Sequence, residues 1–154
     1  MKKNLWNTTQ SLLVVFNYEN LDRLHDFRIS LDKLLTNSAI ERVIIIVNID
    51  KEVDKNTLPP HFLIYYNSSN DYNFWGKLKD IQLDAELKKQ YDTLLWLGET
   101  KKKSFNEVRK MKFSNKIGVN TNDSFFELHL NSDSDVPSEM LNFVVETLKK
   151  ITLA

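Results

Sequence analysis

Val43-Ile44-Ile45-Ile46-Val47 is the stretch on which the fold turns. Five β-branched residues in a row are stiff at χ1 and suit extended backbone. An unbroken apolar run, rather than an alternating one, fits a strand buried on both faces. Burial on both faces requires helices above and below the sheet, which is the layout of a parallel α/β protein. Working outward, Leu12 to Phe16 reads as a strand of the same kind, and Asn20 offers its side-chain oxygen as a helix cap. Leu24, Phe27, Leu31 and Leu34 or Leu35 then recur at helical spacing.

Downstream, Pro59-Pro60 closes a polar connection and Phe62 to Tyr66 reads as a third strand. Ile81 to Gln90 fits a short helix, and Asp92 to Leu97, ended by Gly98, a fourth strand. Ser104 to Lys112 is read as a helix with Phe105 and Val108 inward, and Lys116 to Val119 as a fifth strand. Phe125 to Leu130 alternates like an edge strand, with Phe126, Leu128 and Leu130 on one side. Pro137 opens a last helix whose inner face carries Met140, Leu141, Val144, Val145, Leu148 and Ile151. Alternating strands and helices imply right-handed crossovers. The expectation is an α/β chain: one three-layer α/β/α sandwich over residues 1–154. Its Rossmann-like, mostly parallel sheet would hold five or six strands, ordered 3-2-1-4-5 with a sixth at the edge.

Composition removes whole classes of function. The 154 residues carry 21 basic and 21 acidic side chains, so the formal charge is zero. That balance demotes a dedicated nucleic-acid binder, whose affinity comes largely from neutralising phosphates. The absence of cysteine excludes disulfides, thiolate nucleophiles and thiolate metal sites, and fits a cytoplasmic protein. No run approaches the roughly 20 apolar residues of a membrane span, and the N-terminal apolar run is too short for a signal peptide. No membrane association is expected. Only Gly76, Gly98 and Gly118 occur, so the first strand–helix turn, Asn17-Tyr18-Glu19-Asn20, lacks the glycines of a dinucleotide or P-loop site. No cofactor is expected. His25, His61 and His129 have no metal-site spacing, so no metal is expected either.

What remains is a set of candidates. In an open parallel sheet, ligands bind outside the carboxyl ends of the strands, where the strand order reverses. Asn17 and Glu19 follow the first strand, Asn48 and Asp50 the second, and Gly98 and Glu99 the fourth. If the first and fourth strands are neighbours, Glu19 and Glu99 flank one crevice; the alternative reading is that these acids simply cap helices and face water. Lys101-Lys102-Lys103, Arg109, Lys110, Lys112 and Lys116 form a basic stretch, either a solvated face or a site for phosphate, RNA or an acidic partner. Phe74-Trp75, followed by Gly76-Lys77, either plugs the sheet edge or supplies a stacking surface.

Asp71-Tyr72-Asn73-Phe74-Trp75-Gly76-Lys77 also resembles the Asn-aromatic-aromatic-Gly-Lys signature of an uncharacterised bacterial family of small α/β proteins. The likeness extends to Tyr91-Asp92-Thr93-Leu94-Leu95 and Lys116-Ile117-Gly118-Val119. Where many members carry a Ser-x-Ala pattern, this chain has Arg109-Lys110-Met111-Lys112-Phe113-Ser114. The family is distantly similar to the N-terminal half of heptosyltransferase-like glycosyltransferases, whose sugar-nucleotide site lies largely in a second domain. The resemblance implies the fold and lends little to an activity.

Three functions are therefore expected, in order. The first is a non-enzymatic protein acting through protein contacts, with Phe74, Trp75, Lys77, Lys101, Lys102, Lys103 and Arg109 as its surface. The second is a small-molecule binder, for a nucleotide or sugar phosphate, or a degenerate glycosyltransferase-like domain, using Asn17, Glu19, Asn48, Gly98 and Glu99. The third is RNA or ribosome association through the lysine-rich stretch.

Overall fold

Apolar runs without alternation need cover on two faces, and the computed structural model, which describes residues 3–153, supplies it. Six strands, β1 (Ser11–Asn17), β2 (Arg42–Asn48), β3 (Ile64–Asn67), β4 (Tyr91–Leu97), β5 (Phe113–Val119) and β6 (Leu128–Leu130), form one sheet. Their order is β3-β2-β1-β4-β5-β6, and every pairing is parallel. The fold is Rossmann-like α/β.

Each central strand divides its side chains between two cores. Leu12, Val14 and Phe16 of β1 face the core covered by α1 (Leu5–Thr8), α2 (Leu21–Thr36) and α5 (Pro137–Lys150). Leu13 and Val15 face the other, under α3 (Ile81–Leu87) and α4 (Lys103–Val108). The Val43 to Val47 run splits likewise, Ile45 and Val47 to the first core and Ile44 and Ile46 to the second. Asn20 caps α2 by accepting from the Arg23 amide at 2.9 Å, and Pro137 occupies the first turn of α5.

Several expected boundaries move. The third strand starts at Ile64, and Phe62 stands outside it and exposed, because the chain after Pro60 is still turning at His61, whose carbonyl accepts from the Ile64 amide. β5 begins three residues before the expected Lys116, at Phe113, because Tyr91 and Thr93 of β4 give the earlier residues partners. The α4 helix ends at Val108, short of the expected Lys112, so that this strand can start. Strand pairing at the far edge begins only at Leu128, with Phe125 and Phe126 in the preceding turn. Ile151 caps the last helix and, half-buried, packs against the first core as its spacing predicts. Short α1, with Trp6 buried, was outside the sequence expectation; Asn4 caps it through the Asn7 amide. No helix among the described residues is long and apolar enough to cross a membrane.

Candidate functional site

Strands β1, β2 and β3 all end in asparagine, and the parallel register sets Asn17 beside Asn48 and Asn48 beside Asn67. The strand order reverses between β1 and β4, so this row starts at the switch point where such sheets bind ligands. Here the row is knitted together. Ser104 donates to Asn48 Oδ1 at 2.6 Å, Asn48 Nδ2 donates to Asn17 Oδ1 at 3.0 Å, and Asn17 Nδ2 donates to the Glu99 carbonyl at 3.2 Å. The same carbonyl accepts from the Trp96 indole N–H at 3.0 Å.

Gly98 makes this closure possible. Its φ of +105° is one that L side chains resist, and a Cβ there would lie 3.0 Å from Asn17 Nδ2. The glycine thus admits a neighbouring asparagine rather than a ligand. Glu19 and Glu99 do line one cleft, of about 390 Å³, as adjacency of the first and fourth strands requires. Each faces water and a cation, Glu19 with Arg23 at 3.3 Å and Glu99 with Lys102 at 3.4 Å. Asn17, Asn48, Gly98 and Glu99 are brought together, but their polar groups are largely spent on one another.

The basic stretch does not stay together. Lys101, Lys102 and Lys103 stand at the carboxyl end of the sheet, beside Asn48 and Asn67. Lys110 and Lys112 line a different cleft with Lys88 and Lys89, near the amino end of β4. Arg109 lies over the Phe105 ring and Lys116 over the Phe125 ring, at 5.6 and 4.7 Å from the centroids. Helix α4 separates the two lysine groups, so the stretch forms two patches instead of a stripe.

Phe74 and Trp75 are 92% and 83% exposed, which overturns the expectation that they plug the sheet edge. They sit at the tip of a hairpin whose base is the antiparallel bridge between Tyr72 and Leu78, both buried under the second core. The tip is held. Asn73 Oδ1 accepts from the backbone N–H groups of Trp75 and Lys77, both at 2.9 Å, and the Asn73 amide donates to the Lys77 carbonyl at 2.8 Å. Gly76, at φ +79°, makes the reversal. The two rings pack edge-to-face at 5.0 Å, touching each other instead of a core. Burial holds the Tyr72 hydroxyl well above its usual titration range, aided by the Glu107 charge; it donates to Asn67 Oδ1 at 2.9 Å.

His25 and His129 are exposed and His61 is half-buried, and among the described residues no group of three or more His, Asp or Glu is placed to hold a metal. Sequence reasoning missed Asn67 and Ser104. Aligning the ends of the apolar runs (Phe16-Asn17, Val47-Asn48, Tyr66-Asn67) was the signal that could have found Asn67. Compared with protein-family models, curated proteins and solved structures, the chain has no match.

Proposed function

We propose that this is a cytoplasmic, non-enzymatic protein that acts by binding a protein partner through the Asn73–Lys79 hairpin. One observation carries the reading: two adjacent large aromatics stand almost fully in water on a backbone fixed by hydrogen bonds within its own turn. Phe and Trp side chains bury about 150–250 Å² each when covered, so a partner over both removes at least 300 Å² or so from water. At about 25 cal/mol per Å² that is roughly 7 kcal/mol before association costs, the scale of a binding hot spot. A preformed tip also loses little conformational freedom on binding. The switch-point crevice, by contrast, offers few unspent polar groups to a ligand.

The double variant F74S/W75S tests this. Affinity purification from the protein's own cells, with wild type and variant side by side, should recover a protein with the first and lose it with the second. Equal recovery by both, with circular dichroism showing the variant folded, would remove the hairpin from the function.

A further inference from the structure

The second cleft at the carboxyl end of the sheet is chemically unlike the switch-point crevice. It has a volume of about 340 Å³ and lies between the ends of β2 and β3 and the start of α4. Its lining includes the buried side chains of Asn48, Asn67 and Ser68 and the lysines Lys101, Lys102 and Lys103. Lys51 adds a fourth ammonium, and among the described residues Asp50 and Glu52 are the carboxylates that line it. Lys102 pairs with Glu99, whereas Lys51, Lys101 and Lys103 make no ion pair among the described residues.

Asn67 supplies an independent observation. It is 3% exposed, and its Oδ1 is committed to the Tyr72 hydroxyl. Its Nδ2 is buried with no acceptor among the described residues. A buried donor without a partner costs roughly 1–3 kcal/mol, so its retention beside a lysine-lined cleft calls for an acceptor. The cleft therefore combines surplus positive charge with an unspent amide donor, the complement of a compact oxyanion. Its volume matches the lower end of small-ligand sites, too small for a dinucleotide.

We propose that this cleft binds a small phosphate monoester, with Lys101 and Lys103 on the phosphoryl oxygens and the Asn67 amide at its floor. The site is separate from the hairpin contact and does not depend on it.

Glycerol 3-phosphate titrated into ¹⁵N-labelled protein, with sodium chloride at matched ionic strength as control, provides the test. Saturable shifts should centre on the Asn67 side-chain amide and the backbone amides of Ser68, Ser69 and Lys101 to Lys103. The exposed-lysine variant K101A/K103A should raise the Kd by about tenfold or more, equivalent to about 1.4 kcal/mol. K110A/K112A, which removes the other lysine patch, and W75A should leave it unchanged. Equal shifts with chloride, equal loss in both lysine variants, or undiminished binding in K101A/K103A would each overturn the proposal.

Discussion

Two aromatic pairs in this chain begin from the same local chemistry and end in opposite places. Asn73 Oδ1 accepts from the amide of Trp75, two residues on, and Asp123 Oδ1 accepts from the amide of Phe125, also two residues on. Both are side-chain-capped turns carrying adjacent rings. Yet Phe126 is buried, in reach of Trp96 and Phe105 at centroid separations of 6.5 and 5.9 Å, whereas Phe74 and Trp75 meet only each other and water. The difference lies in the receiving surface. Gly118 on β5 leaves a gap into which the Phe126 ring fits so closely that a Cβ at 118 would stand 2.6 Å from it. The tip of the hairpin projects from its buried base with no element packed over it. Turn chemistry fixes how a loop bends, and the far side of the fold decides whether its side chains are covered.

The largest effect expected from breaking this contrast is at the buried pair. Phe126→Ala should cost about 3–5 kcal/mol in chemical denaturation, from lost burial and the cavity left behind. Gly118→Ala should cost roughly 1–3 kcal/mol by overpacking the same space. Combining the two should be non-additive, because the methyl group added at position 118 no longer meets a ring once Phe126 is truncated, although Thr121 Cγ2, 2.7 Å from that Cβ, still resists it. Simple additivity would mean that the gap over Gly118 is not what seats Phe126.

This is also where sequence reading reached its limit. The strands themselves, the capping asparagine at position 20 and the inner faces of α2 and α5 were legible, because they follow from periodicity and β-branching within single segments, and the strand order followed from the general rules of parallel α/β sheets. The fate of Trp75 was not, since it depends on residues far along the chain. The asparagine row was half legible. Asn17 and Asn48 stood out because candidates were sought after the first, second and fourth strands, and Asn67, which follows Tyr66 in the same way, ends the edge strand β3. That Gly98 serves Asn17 rather than a ligand follows only from cross-strand register, which no local pattern encodes.

Smaller effects are expected at the exposed pair. Asn73→Ala removes two side-chain hydrogen bonds from the hairpin and should cost about 1 kcal/mol, with faster amide exchange at Trp75 and Lys77. Unchanged exchange would show that Gly76 and the Tyr72–Leu78 bridge hold the tip without it. F74S/W75S should change folding stability by less than about 0.5 kcal/mol, as for surface positions free of packing. A larger loss would place the two rings against the core and erase the contrast.

Site-specific photo-crosslinking in the protein's own cells tests the contact role most directly. A photoreactive amino acid replaces Trp75 in one variant and exposed Lys33, on helix α2 over the opposite face of the sheet, in another. The account predicts a discrete protein adduct from position 75 that position 33 does not give, whether its mass marks a second copy of this chain or another protein. No adduct at 75, or the same adducts from both positions, would contradict it.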